Sequence, residues 1–195
     1  MCCTIYFDRE TEEAIRSLVN EISEAAAFRD GILRPSDAVT VISGNRPGLA
    51  AEDMRWGFPS PVDGKLMINA RAETALEKKS FADSVRSRRC VIAASRFYEW
   101  DRDKNKTAFY SPDQSVIFLA GFFRRFPDGD RFIVLTTAAN ESILPVHDRM
   151  PLSLPRELVY PWITDDKETE ALLKTPQPSF KLYRPYEQMS LFSIS

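Results

Sequence analysis

The chain has 195 residues, 44% of them hydrophobic and 28% charged, with a net charge of −2. That balance excludes a disordered, fibrous or membrane-embedded chain and fits one domain over 1–195 that buries its own core. No apolar run approaches the roughly 20 residues of a membrane span, and no basic-then-apolar leader opens the chain, so neither a membrane partner nor secretion is expected.

In chain order, "TIYF" (4–7) predicts a first strand. "DRETEEAIRSLVNEISEAAAF" follows. Ala14, Ile15, Leu18, Val19 and Ile22 recur there at helical spacing behind an acidic first turn, which predicts a helix near 11–27. "LRPSDAVTVIS" reads as a turn and a strand. "GNRPGLAAEDMRWGFPSPVDGK" is rich in Gly and Pro and is expected to be irregular. "KLMINARAET" predicts a strand ending in a loop, and "EKKSFADSVRSR" a short helix. Strands follow in "RCVIAASRFYEW", "TAFYSP", "SVIFLAGFFRRF" and "DRFIVLTTAA", rich in β-branched and aromatic residues and separated by turns such as "DKNK" and "PDGD". "LPRELVYPWIT" and "KETEALLKT" read as helical, and "FKLYRPYEQMSLFSIS" as a closing strand and tail. Strands dominate the middle without βαβ alternation. The expected class is α+β, with a curled, mainly antiparallel and partly barrel-like sheet flanked by helices.

Charge is unevenly spread. Residues 1–30 hold seven acids against three arginines, whereas 84–110 hold seven bases against three acids. The basic stretch fits either a solvated face or a grip on a short phosphate backbone. Three cysteines, two of them adjacent, do not suit a disulfide framework and point to a reducing cytoplasm. Adjacent cysteines are also poor zinc ligands, so no metal site is expected from Cys2, Cys3, Cys90 and His147. Cys90, in "RRCVIAA", reads as a small core hydrophobe. No glycine-rich phosphate loop occurs, and no cofactor is expected.

Four positions could carry chemistry. Cys2 sits directly behind Met1, so removal of Met1 would place an α-amine and a thiol on neighbouring carbons. Glu99, in "SRFYEW", is a carboxylate in an aromatic strand. Alternation would put Phe97, Glu99 and Asp101 on one face, where burial raises a carboxyl pKa and suits acid/base work; an arginine partner is the plain alternative. His147 is the single histidine, in "ILPVHDRMP", a proline-bracketed loop with Asp148 and Arg149 beside it. "INARAET" puts Asn69, Arg71 and Glu73 at period-two spacing, a plausible anchor for a sugar oxygen and a phosphate.

The ordered motifs "MCC", "WGF", "NARAET", "RRC", "FYEW", "AGFF", "TTAAN" and "HDRMP" strongly resemble the SOS-response-associated peptidase family, the SRAP-domain abasic-site-processing proteins, from Met1 to about Pro151. The resemblance implies that Cys2 forms a thiazolidine cross-link with the ring-opened aldehyde of an abasic site in single-stranded DNA. It assigns sugar contact to Asn69, acid/base duty to Glu99 and proton transfer to His147. It makes Arg71 a phosphate contact and Trp56 part of the DNA-facing surface; Arg149, and Lys106 from the basic stretch, complete the expected DNA contacts. It further implies self-removal of Met1, reversal of the cross-link and a DNA-nicking lyase activity, in a monomer acting in the cytoplasm.

The chain departs from the common Met-Cys-Gly-Arg start, with Cys3 and Thr4 in place of glycine and arginine. Exposed aromatics for single-strand binding are expected at Trp56, Phe97 and Trp100. Two other readings stay open from the residues alone: an N-terminal-cysteine amidohydrolase, and a DNA-binding module without catalysis.

Overall fold

A computed structural model describes residues 4–45, 48–60, 62–113 and 115–184. The β-branched and aromatic runs of the middle form strands, and most of them pair antiparallel. Ala38–Asn45 lies between Gly48–Trp56 and Arg89–Ala94, and Arg89–Ala94 beside Ile117–Phe126, which pairs in turn with Gly129–Ala138. Gly129–Ala138 then meets Gly48–Trp56 in parallel, Arg131 opposite Arg55 and Phe132 opposite Trp56. This last pairing curls the sheet back on itself into a partly closed barrel, which removes two sheet edges.

The barrel core is aromatic. Trp56 stacks on Phe132 at 5.8 Å, and Phe122 meets Phe58 and Phe81 at 5.9 and 5.4 Å. Each such fully buried side chain contributes roughly 1.5–3 kcal/mol. Gly121 is required here. A Cβ at that position would lie 2.8 Å from both Ile133 O and Ile92 Cδ1.

A second sheet runs in the order Lys181–Tyr183, Lys106–Tyr110, Arg96–Trp100, Thr4–Phe7, Gly31–Leu33, all antiparallel. The run "RCVIAASRFYEW", expected as one strand, breaks at Ser95, whose N–H donates to Tyr6 O at 3.0 Å. The chain thereby leaves the barrel after Ala94 and enters the second sheet at Arg96. Phe97 stacks on Phe109 at 5.2 Å and meets Phe180 edge-on at 5.1 Å, filling the space behind that sheet.

The helix expected near 11–27 spans only Arg9–Arg16, capped by Asp8 Oδ1, which accepts from Thr11 N at 3.0 Å. It stops because the barrel edge claims the following backbone. Asn20 N–H donates to Leu49 O, Ser23 N–H donates to Ala51 O, and Glu21–Ile22 pairs with Gly48–Trp56. The stretch "GLAAEDMRW", expected to be irregular, is a nine-residue barrel strand for the same reason. The later helices are short: Ala72–Ala75, Ala82–Ser87, a 3₁₀ turn at Arg156–Leu158, Val159–Thr164 and Thr169–Leu172. Among the described residues, no helix is long and apolar enough to cross a membrane.

Candidate active site

The strand Gly129–Ala138 organises the site. Asn69–Arg71 runs parallel to its far end, Asn69 opposite Val134 and Arg71 opposite Thr136. Arg149–Pro151 runs antiparallel to the same end, Arg149 opposite Ala138. Segments far apart in sequence therefore flank one strand terminus.

His147 closes the loop between those strands. Ile143 and Val146 anchor the loop in the core, Ile143 O accepts from the N–H groups of Val146 and His147, and Asn140 Oδ1 holds Ser142. The imidazole is one-quarter exposed. Its Nδ1 accepts from Arg149 N–H at 2.9 Å and lies 3.0 Å from Asp148 Oδ1. Burial lowers its pKa against the pull of the Asp148 charge, so the neutral ring prevails at pH 7. The Arg149 N–H favours the neutral tautomer that carries its proton on Nε2.

Glu99 lies in Arg96–Trp100, opposite Thr107, and is 1% exposed. Burial raises its pKa to about 7, and the Asp148 carboxylate adds to the rise. The expected alternation holds for Phe97 and Glu99, which face inward; Asp101 lies past the strand end, where its carboxylate accepts from Asn105. Asp148 links Glu99 electrostatically to the His147 loop, a role that sequence reasoning missed because the two elements meet only in the fold.

Arg149 is expected to grip phosphate, yet its guanidinium is already engaged. It binds both oxygens of Glu73 at 2.8 Å and donates to Thr136 O at 2.6 Å, with 14% of the side chain exposed. The fork holds Glu73's carboxyl below the usual range and straps the short helix Ala72–Ala75 to the strand end. Glu73 thus belongs to a helix and does not continue the Asn69–Arg71 strand face. Arg71 is exposed and has no ion-pair partner among the described residues, while Asn69 beside it is half-buried.

Two expected surface aromatics are corrected. Trp56 is wholly buried, stacked on Phe132 with Nε1 donating to Ile68 O at 3.1 Å, so it braces the barrel and does not face DNA. Phe97 is equally buried. Lys106 pairs with Trp100 on the outer face of the second sheet, away from Glu99. The basic stretch 84–110 is no single surface: Arg89 is buried, donating to the carbonyls of Trp162, Val85, Arg86 and Ile163 and pairing with Asp166. Cys90 is buried, as expected of a core residue. Cys2 and Cys3 lie outside the described residues.

The sequence model of the family described as SOS response associated peptidase (SRAP) matches residues 1–193. The chain is 33% identical to abasic site processing protein YoqW of Bacillus subtilis over 83% of its own length and 76% of the relative's. It is 28% identical to abasic site processing protein HMCES of Xenopus tropicalis over 73% of its length and 51% of that protein's. A solved structure from Bordetella bronchiseptica shares the fold, with a TM-score of 0.75 at 23% identity over 94% of this chain and 99% of that one. One from Bacteroides thetaiotaomicron does so with a TM-score of 0.76 at 20% identity over 98% and 95%. Motif order, fold and whole-length match agree, and the chain belongs to the SOS response associated peptidase (SRAP) family.

Proposed function

We propose that the protein recognises abasic sites in single-stranded DNA and links itself covalently to them through Cys2, after Met1 has been removed. The observation that carries this reading is the dry, near-neutral carboxyl of Glu99 beside the strand that leads to the N-terminus. Thr4 pairs with Tyr98, one residue from Glu99. Two residues of chain, at most about 7.6 Å of Cα path, separate Cys2 from Thr4.

The chemistry follows from the groups. An abasic sugar is mostly a closed hemiacetal, and opening it needs a proton removed from the C1 hydroxyl and one delivered to the ring oxygen. A carboxyl with a pKa of about 7 exists in both forms at neutral pH and can do either. The neutral His147, with its proton on Nε2, is the donor toward the sugar oxygen. The α-amine of Cys2, with an ordinary pKa of about 7.7, attacks the aldehyde and loses water to form an imine. The thiol adds across that imine, its proton passing to the nitrogen, and closes a five-membered ring. Asn69 contacts the sugar and Arg71 takes the adjoining phosphate. Arg149 acts by holding Glu73 and the strand end in place. Reversal uses the same Glu99 in the opposite sense. The reading extends to self-removal of Met1 and to strand nicking by the imine intermediate.

The test is a denaturing gel of protein incubated with single-stranded DNA carrying one abasic site, with Met1 removal read by mass spectrometry. A heat-stable shifted band is expected, absent in Cys2→Ala and in protein that retains Met1. No band from correctly processed protein would overturn the reading, and an N-terminal amidohydrolase would give that result.

A further inference from the structure

The second sheet has an outer face turned away from Glu99. Paired residues share a face, so Tyr6 joins Arg96, Trp100 joins Lys106, and Tyr98, Ala108 and Tyr183 line up across three strands. The rings hold the cations. The Arg96 guanidinium lies 3.6 Å over the Tyr6 ring and donates to Tyr98 Oη at 2.8 Å. Lys106 Nζ lies 3.8 Å over Tyr98 and 5.9 Å from the Trp100 ring. Among the described residues neither cation has a carboxylate within 4.0 Å. Asp8 senses Arg96 but gives its Oδ1 to Thr11. Arg96, Tyr98, Lys106, Ala108, Tyr110 and Tyr183 enclose a cavity of about 280 Å³.

Two cations with no carboxylate in ion-pair contact among the described residues, set among flat rings, complement a ligand that alternates anions and aromatic planes. That is single-stranded nucleic acid: bases stack on Trp100 and Tyr183, Tyr98 being buried beneath Lys106, and phosphates meet the cations. An acidic peptide would satisfy the charges and leave the rings unused. The face also starts beside the candidate active site. Trp100 and Lys106 stand at the same end of the sheet as Thr4, and Glu99 is the neighbour of Trp100 on the opposite face. From Glu99 to Arg96 the strand covers about 10 Å, a distance of one or two nucleotides.

We propose that this outer face is a second track for single-stranded DNA, on which the strand flanking the lesion rounds the sheet end and lies across Trp100, Lys106, Arg96 and Tyr183. The proposal rests on the abasic-site reading for its substrate and adds a binding surface to it.

The test uses intact oligothymidylate of twelve nucleotides with the full chain carrying Cys2→Ser, so that only non-covalent binding is read. Trp56 and Trp162 are wholly buried, so quenching of tryptophan fluorescence reports Trp100. Binding is expected to quench it. Arg96→Gln with Lys106→Gln should flatten the slope of log K against log salt by about 1.4, at about 0.7 for each phosphate that the variant no longer neutralises. Tyr183→Ala, at an edge position 47% exposed, should weaken binding about 5-fold or more while circular dichroism stays native. An unchanged slope in the natively folded double variant, or no quenching of the Cys2→Ser chain itself, would overturn the track. Equal quenching by poly-glutamate of the same charge would also overturn it, in favour of an acidic polypeptide. Wild-type cross-linking is scored in parallel. A cross-link with an unchanged slope sinks this proposal alone, and a flattened slope without a cross-link sinks only the covalent chemistry.

Discussion

Glu99→Gln separates the acid/base role proposed for the carboxyl from what the carboxyl costs the fold. The folded-state pKa of about 7 stands above the ordinary 4.5 because the group is buried. The stability contributed by the protonated form is therefore fully present below about pH 4.5 and is lost as pH rises through about 7. At about 1.4 kcal/mol for each pH unit, keeping the ionised form buried costs roughly 3 kcal/mol at pH 8. Glutamine has the same shape and no charge at any pH. Urea unfolding at pH 4.5, 6, 7 and 8 should show the variant gaining on wild type as pH rises, by up to roughly 3 kcal/mol. In a chain of this size that is a rise of about 6–12 °C in Tm at pH 8. The same variant should form the abasic-site cross-link about 100-fold more slowly or worse, since it can neither take nor give the proton. Stability curves that stay parallel between pH 4.5 and 8 would refute the raised pKa. A wild-type cross-linking rate would refute the acid/base role.

The single histidine gives one imidazole signal in an NMR titration, and its midpoint should fall below the usual 6.5; a midpoint at or above that value would refute burial as the dominant influence. Because the folded pKa is lowered, the stability His147 contributes is present above about 6.5 and is lost as pH falls. Gly121→Ala should cost about 1–3 kcal/mol in urea unfolding, because its Cβ would press on Ile133 O and Ile92 inside the barrel. Arg89→Met keeps the volume but strands the carbonyls of Trp162, Arg86 and Ile163, and should cost about 3 kcal/mol or expose the Val159–Thr164 helix to early hydrogen exchange. A loss below about 1 kcal/mol would mean those carbonyls find other donors.

Alternation and composition made the strand-rich α+β class and the inward face of Glu99 legible, because a period of two is a local property of the chain. Order and identity of motifs likewise made the family and the candidate residues legible. Other features depended on neighbours in space. Leu18, Val19 and Ile22 carry a helical period, yet their stretch leaves the helix because the barrel edge at Leu49 and Ala51 offers hydrogen bonds that a helix end lacks. Ser95 divides an unbroken apolar run because two sheets meet there. Trp56 and Trp100 look alike as aromatic residues in strands, and only the packing of Phe132 against one and Lys106 near the other separates a core brace from an outer ring. Arg149 could grip phosphate in isolation, and Glu73, 76 positions away, determines that it grips a carboxylate instead. The sequence by itself determined which groups are present and how the backbone alternates. Only the tertiary structure decided which charges meet, since ion pairing, burial and the pKa values they set depend on distances that no local pattern contains.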